Sequence, residues 1–381
     1  MQYRKLGRTG LDVSAISLGC EGFIGRSEAE AKEMFAVASA AGVNFMDMYS
    51  SDPEMRSLVG RMLEGRTDFH IQGHLCSVWQ DGQYKRSRNI KEVKEAFDDL
   101  MRRLNRDRLD VGMIHYVDSL DDWNVIWNGP VIDYARELKA NGRIGCIGLS
   151  SHNPVVARQA IQTGEIDVLL FSINPAYDML PPDEDVMRLF EKSTFKEARH
   201  NFNPELVSLY EMCEREGIGI DVMKAFGGGN LLDAKLSPLG SALTPVQCLN
   251  YALTRPGVAA VMCGCHNVDE LKECLAWCEA DEKAKDYSVA LSGQNKFTWS
   301  GQCMYCGHCA PCPKGIKVAE VNKFLNLAAS HAEVPETIRE HYAALPHHAS
   351  ECVKCGACEK RCPFQVPVRQ KMADAADRFG I

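Results

Sequence analysis

Long apolar runs are missing from this sequence. No stretch approaches the roughly 20 residues needed to span a bilayer, and the opening MQYRKLGRTG lacks the apolar core of a signal peptide. The expected location is the cytoplasm, with no membrane partner. Blocks of basic residues are missing too. The net charge is −8, from 43 basic and 51 acidic residues, the wrong sign for a nucleic-acid partner. With 45% hydrophobic and 25% charged residues among 381, the chain suits one large globular domain and a small one. Oligomeric state has no signature in the sequence.

Cysteine is the exception to this ordinary composition. There are 17, and in a cytoplasmic chain they argue for metal rather than disulfides. Eight of them fall in two tight runs near the C-terminus. Cys20, Cys76, Cys146, Cys213, Cys248, Cys263, Cys265, Cys274 and Cys278 are scattered, and are expected to be buried small hydrophobes.

Short apolar runs alternate with amphipathic stretches to near residue 280. The strand candidates are AISLGC (15–20), VNFMDM (43–48), FHIQGHL (69–75), DVGMIHY (110–116), IGCIGLS (144–150), DVLLFSIN (167–174), IGIDVMK (218–224) and VAAVMCG (258–264). Between them lie helical patterns such as SEAEAKEMFAVASAAG (27–42), where Ser27 fits an N-cap, Glu30 its capping-box partner and Gly42 the stop. Eight such units predict an α/β fold, the parallel (β/α)8 TIM barrel, over an open doubly wound sheet. The preceding QYRKLGRTGLDVS is expected to form a hairpin that plugs the barrel bottom.

Barrel strands end at the active face. Asp47, His74 and His115 end the second, third and fourth strands and should share one mouth. A carboxylate such as Asp47 at the inner end of an apolar strand needs a partner. Ser150 to Asn153 follow strand five, Asn174 ends strand six, Lys224 strand seven and Gly264 strand eight. Three connections are long enough for walls or lids. Residues 76–89 carry Trp79, Tyr84, Lys85 and Arg86, residues 116–129 carry Trp123 and Trp127, and 178–204 is longer still.

The cysteine runs read CMYCGHCAPCP (303–313) and CVKCGACEKRCP (352–363). The second is the bacterial ferredoxin spacing, C-x2-C-x2-C-x3-C-P, and the first differs by one residue. Three thiolates at x2 spacing wrap one corner of an iron–sulfur core, and in two-cluster ferredoxins the fourth crosses over. One [4Fe-4S] cluster is therefore expected on Cys303, Cys306, Cys309 and Cys362, the other on Cys352, Cys355, Cys358 and Cys312. Zinc, the alternative, rarely uses four cysteines in one tight run followed by proline.

Together these pieces resemble the aldo-keto reductase superfamily, in its branch with a C-terminal ferredoxin-like domain. YRKLGRTGLDVSAISLG, the Asp47 strand, RLDVGMIHYVD, RIGCIGLSSHN, VMKAFGGGNLL and VMCGCHNVDELKEC carry the resemblance. It implies a barrel over 1–282, a linker over 283–298, a mainly helical ferredoxin-like domain over 299–370 and a tail over 371–381. It also implies a nicotinamide nucleotide and an Asp, Tyr, Lys, His tetrad. Asp47 and His115 match the family Asp and His. Counted without gaps, with Gly60 in register, the Tyr position is Asp52, followed by Pro53, and the Lys position is His74. The paired loss implies altered acid–base chemistry. Tyr49, two residues beyond Asp47, faces the same side one step further out.

The nucleotide site is expected to involve Ser150, Asn174, Lys224, the turn Gly227, Gly228, Gly229, and Gly264. The family's 2′-phosphate positions read Glu270 and Glu273-Cys274. A carboxylate there repels a 2′-phosphate, so NADH is expected over NADPH. Three functions follow. The first is an iron–sulfur oxidoreductase acting on a small carbonyl-type molecule, with His74 or His115 as proton donor, Asp47 as its orienter, and Trp79, Trp123, Trp127, Lys85 and Arg86 around the substrate. The second is a mononuclear metal on Asp47, His74 and His115, with His152 as a fourth candidate. The third is an electron carrier for a protein partner, with a degenerate barrel. A flavin is a further candidate cofactor for splitting electron pairs.

Overall fold

The computed structural model describes residues 1–179, 199–200, 203–292, 297–298, 301–329 and 333–381. Eight parallel strands close into a barrel: β3 (Ile16–Gly19), β4 (Phe45–Met48), β5 (His70–Leu75), β8 (Leu109–Ile114), β9 (Ile144–Ser151), β10 (Val168–Ser172), β12 (Gly219–Met223) and β13 (Val258–Cys263). They are the eight apolar runs of the sequence. Before them, β1 (Tyr3–Lys5) and β2 (Asp12–Ser14) pair as the expected hairpin. Leu6 and Val13 enter the barrel interior among Phe45, Val111, Met113, Val168, Leu170 and Met262. Arg4 Nη1 donates to Leu253 O at 2.8 Å and Val258 O at 3.1 Å, pinning the hairpin across the bottom.

The outer helices are α1 (Glu28–Ala40), α2 (Pro53–Met62), α3 (Ile90–Leu104), α4 (Leu120–Trp127), α5 (Pro130–Ala140), α6 (Pro154–Ile161), α7 (Pro204–Glu216), α8 (Pro245–Leu253) and α9 (Val268–Leu275). Their starts are written locally. Ser27 and Glu30 form the capping box on α1. Asp52, Asn153, Asn203 and Thr244 cap α2, α6, α7 and α8, each followed by proline at the first helical position. Gly60 lets α2 approach α3, since a Cβ there would sit 2.0 Å from Arg103 O.

Two of the three long connections have structure of their own. Residues 76–89 contain an antiparallel hairpin, β6 (Ser77–Gln80) and β7 (Gln83–Arg86). Asp81 and Gly82 at its tip both have positive φ, 53° and 71°, as a two-residue Asp-Gly turn requires. Residues 116–129 hold α4, so Trp123 is a core residue, 1% exposed and stacked on Trp127 with centroids 5.8 Å apart. It does not wall a pocket, because the helix turns it inward. Trp79 stays 39% exposed. Most of 178–204 lies outside the described residues.

Beyond the barrel come α10 (Glu282–Lys285), α11 (Ser288–Ser292), α12 (Val318–Ala329), α13 (Glu336–Ala343), α14 (Ala357–Arg361) and α15 (Val368–Phe379). A short parallel pair, β11 (Arg199–His200) with β14 (Phe297–Thr298), joins the two parts. Arg255 is the main bolt between them. It is 2% exposed, donates to Met304 O and Tyr287 Oη, and lies over the Tyr251 and Tyr305 rings at 4.4 and 4.9 Å. Arg255 precedes β13, so this contact forms at the N-terminal rim of the barrel, away from the strand-end mouth. No helix among the described residues is long and apolar enough to cross a membrane. Arg255→Ala should destabilise the cluster-loaded protein by about 2–3 kcal/mol, because its hydrogen bonds to Met304 O and Tyr287 Oη and its packing on two rings are lost and a cavity is left. Thermal unfolding checks this, and an unchanged midpoint would contradict it.

Candidate functional site

Strand register brings the predicted mouth residues together. Asp47 sits opposite Gln72, and His74 opposite Met113, two residues before His115. All three of Asp47, His74 and His115 are buried. His74 Nε2 lies 2.8 Å from Asp47 Oδ1, and His74 Nδ1 lies 2.6 Å from His115 Nδ1. His115 Nε2 meets the hydroxyl of Tyr84, which β7 extends over the mouth. Four side chains thus form one line from the dry interior outward.

The line has a consistent direction. With Asp47 ionised, His74 donates through Nε2 and accepts at Nδ1, His115 donates through Nδ1 and accepts at Nε2, and Tyr84 donates inward. One added proton reverses every bond. Asp47 then donates, both imidazoles stay neutral, and the Tyr84 hydrogen turns to the mouth. Burial, with His74 beside it, pushes the His115 pKa well below its ordinary 6.5, and burial pushes Tyr84 up to about 12. A neutral imidazole and a protonated phenol are the forms this line needs.

Deeper in the barrel, Gln72 Nε2 donates to Asp47 Oδ1 at 2.9 Å and to Asp221 Oδ2 at 2.8 Å. Asp221 is fully buried, and burial plus the nearby Asp47 charge raise its pKa strongly. Arg88 braces the other side, donating to the carbonyls of His115 and Tyr116 while its guanidinium grips Asp122. Tyr116 needs the brace, being a non-glycine residue at φ 53°.

The sequence reading underrated Tyr84 and missed Gln72, Asp221 and Arg88. Asp-Gly between alternating residues signalled the hairpin that carries Tyr84. Gln72 lies two before His74 and so shares its face. Asp221, like Asp47, is a carboxylate in an apolar strand.

Several expectations are corrected. Asp52 caps α2, accepting from Met55 N at 2.7 Å, and takes no part in the line. Tyr49 packs: its ring stacks on His115 at 6.1 Å and 11°, and stands edge-on to Tyr84. Asn174 braces the backbone, donating to Lys224 O and accepting from Ala176 N and Tyr177 N. Lys85 pairs with Asp81, and Arg86 lies over the Tyr116 ring and bonds its carbonyl, so neither is held for a substrate anion. Each imidazole nitrogen of His74 and His115 faces another side chain in the line, rather than a common point where a metal would sit. His152 likewise uses Nδ1 on Asp118 at 2.8 Å and Nε2 on Lys224 Nζ at 2.9 Å.

Of the nucleotide candidates, Lys224 is held in left-handed backbone at φ 59°, and burial lowers its pKa to about 8. Ser150 is buried at the end of β9. Gly227, Gly228 and Gly229 all have positive φ, which only glycine adopts readily in succession. A Cβ on Gly264 would meet nothing within 4 Å, so the space beside it is open. The Glu270 carboxylate is held at the start of α9 by His266 N at 2.8 Å and Asn267 Nδ2 at 3.1 Å.

The cysteine runs fold into two matching halves. Tyr305 and Lys354, each just before the second cysteine of its run, have φ 57° and 54°, and the following Gly307 and Gly356 have 78° and 73°. Such turns aim backbone N–H groups inward; Lys354 N lies 3.4 Å from Cys352 Sγ. Cys312, Cys352, Cys355 and Cys358 line one small cavity of about 20 Å³ with Ile316, Val318, Met372, Arg361 and Arg369. Cys303 is half-buried, with Cys306, Cys309 and Cys362 the thiols acting on it. Cys312 thus lies with the second run and Cys362 with the first, and thiols gathered in this way could hold iron–sulfur cores. Eight of the nine scattered cysteines are buried, and Cys278 is half-buried.

Comparison with known proteins agrees with this geometry. Residues 15–242 match the aldo/keto reductase family and residues 302–367 a 4Fe-4S dicluster domain. The chain belongs to the aldo/keto reductase family. It is an oxidoreductase of that type with a 4Fe-4S dicluster domain. It is 24% identical over 312 residues to the oxidoreductase YqkF of Bacillus subtilis (strain 168), covering 78% of this chain and 97% of that one. It is 26% identical over 208 residues to pyridoxal 4-dehydrogenase of Microbacterium luteolum, covering 44% of this chain and 61% of the relative. The aldo-keto reductase AKR11C1 from Bacillus halodurans, holo form, superposes with a TM-score of 0.59 at 22% identity, over 75% of this chain and 94% of that one.

The buried His115 has a pH signature. An exposed His titrates near 6.5, whereas folded His115 titrates well below that, so protons favour the unfolded chain. Its contribution is complete above pH about 6.5 and is lost as pH falls toward the folded value. Between about pH 7 and 5.5, the natural protein should lose up to about 1.4 kcal/mol per pH unit more than His115→Asn. Unfolding midpoints across that range would test the sign and size.

Proposed function

We propose that this protein is an iron–sulfur oxidoreductase that interconverts a small carbonyl compound and its alcohol in the barrel mouth. Tyr84 is the proton donor and acceptor at the outer end of the Asp47–His74–His115 line. The observation that carries this reading is the Tyr84–His115 bond. It restores a phenol to a site whose family tyrosine position holds Asp52. His74 stands where the family lysine would, and links Asp47 to the new phenol.

In the reducing direction, one proton loaded on the line moves outward by one bond at each step. Tyr84 gives its hydrogen to the substrate oxygen as His115 Nε2 replaces it. His115 Nδ1 is refilled from His74, and His74 Nε2 from Asp47. Asp47 ends ionised, with Gln72 and His74 as its donors. Arg88 and Tyr49 hold His115 in place, and Trp79 borders the open side. When bound, two 4Fe-4S clusters would supply the two electrons one at a time, and the second proton of the reduction, taken at the carbonyl carbon, would come from solvent in the mouth. Cys303, Cys306, Cys309 and Cys362 would hold one, and Cys312, Cys352, Cys355 and Cys358 the other. NADH is the nucleotide we propose for the barrel, with Lys224 and the Gly227–Gly229 turn near its phosphates and Glu270 disfavouring a 2′-phosphate. An electron carrier with an idle barrel is the weaker reading, since an idle mouth has no use for a buried four-residue proton line.

The test uses anaerobic, cluster-loaded protein. The clusters are reduced, with NADH or chemically, and reoxidised by a panel of small aldehydes and ketones, watched by absorbance. Reoxidation by an accepted substrate should slow by about 10²–10⁴-fold in Tyr84→Phe. Unchanged rates in that variant would remove Tyr84 from the reaction. The cluster assignment has its own check. Cys362→Ser should perturb the same electron paramagnetic resonance signal as Cys303→Ser, and Cys312→Ser the other one. If Cys362 and Cys352 were to act on one signal, the crossed arrangement would be wrong.

A further inference from the structure

A cavity of about 680 Å³ lies between the barrel underside and the cluster domain. The β1–β2 hairpin, the C-terminal end of α7, the α8–β13 turn, α12 and α13 frame it. Its charged lining is lopsided. Arg4, Lys5, Arg8, Arg255, Lys323 and His341 face two carboxylates, Glu214 and Glu320. Three of the six cations are matched: Lys5 by Asp12, Arg8 by Asp167 and His341 by Glu214.

Arg4 and Lys323 differ. Arg4 bonds to the backbone carbonyls of Leu253 and Val258. The Lys323 ammonium lies 5.3 Å from the centre of the Phe324 ring. Among the described residues, neither has a carboxylate at ion-pair distance. Glu320 acts on both from further off, but is bonded to Lys317 at 3.4 Å. Both are half-buried, and partial removal from water lowers the pKa of each, with Glu320, and for Lys323 also Glu214, opposing it from a distance. Ile218, Leu253, Val258 and Phe324 give the cavity an apolar wall.

We propose that this cavity binds a small organic polyanion, bearing carboxylate or phosphate groups, between Arg4 and Lys323. The site is separate from the catalytic mouth, because its walls come from segments that precede β12 and β13. Tyr305, in the Cys303–Cys306 loop, also lines it, so the anion would lie beside the first cysteine set. Negative charge there opposes the addition of an electron nearby. Binding and reduction are then linked, each weakening the other.

Calorimetry on the anaerobic, cluster-loaded full chain tests this, with inorganic pyrophosphate and tricarballylate as the phosphate and carboxylate probes. At least one should bind saturably, and the stronger binder identifies the headgroup. Lys323→Gln should weaken it by about tenfold or more, as expected for the loss of one buried ion pair. Lys91→Gln, an exposed lysine of α3 outside the cavity, should leave it unchanged. Lys323→Gln removes a half-buried charge that has no carboxylate at ion-pair distance among the described residues, and should fold; Arg4→Gln is the second variant, expected to weaken the same probe. No saturable binding of either probe up to about 10 mM, or equal affinity in Lys323→Gln, would overturn the proposal.

Discussion

The carboxylate of Asp47, 4% exposed inside a barrel, must be met by donors, and much of the mouth follows from how it is met. Gln72 and His74 supply two donors to one oxygen. Holding His74 by Nε2 turns its Nδ1 toward His115, and holding His115 by Nδ1 turns its Nε2 toward the opening. The last nitrogen needs a partner that no barrel strand provides. The β6–β7 hairpin supplies it as Tyr84. Each buried polar atom along this path therefore fixes the orientation of the next, as low dielectric makes an unmet one costly.

The same economy governs the junction with the cluster domain. Arg255 is charged and buried, donates to a carbonyl and a phenol, and lies over two aromatic faces. Tyr287 also bonds Met304 O, and Tyr251 packs on Tyr287 with centroids 5.2 Å apart. Tyr251 Oη donates in turn to Asp178 at 2.7 Å, whose pKa burial raises to about 7. Asp178 N bonds Asn174 O, just beyond β10. A continuous set of polar and ring contacts thus runs from the first cysteine loop to the strand ends. The barrel carries its acid–base line on one face and the cationic cavity on the other, with this set between them.

Much of this was legible in the sequence, for identifiable reasons. The eight strands, the bottom hairpin and the capped helices are written in local periodicity and turn chemistry. The cysteine runs declare their chemistry by spacing alone. Asp47, His74 and His115 were found because strand ends in a barrel share one face. Other inferences failed where an ungapped count or a loop length stood in for geometry. Asp52 occupies the family tyrosine position in the count, yet its side chain turns back to cap α2. Trp123 lies in a long connection, but the connection is a helix and buries it. Asn174 ends a strand at the mouth, while its amide is used on the neighbouring backbone.

The sequence by itself determined the barrel and the cluster domain, because period, capping and cysteine spacing act over a few residues. Only the tertiary structure decided which side chains meet at the mouth. Tyr84 reaches His115 from a hairpin 31 residues away along the chain, and Asp221 reaches the Asp47 site through Gln72 across 149 residues. No local pattern encodes such meetings. They exist because a closed barrel forces its inward-facing polar groups into one small dry volume, where each must find a partner.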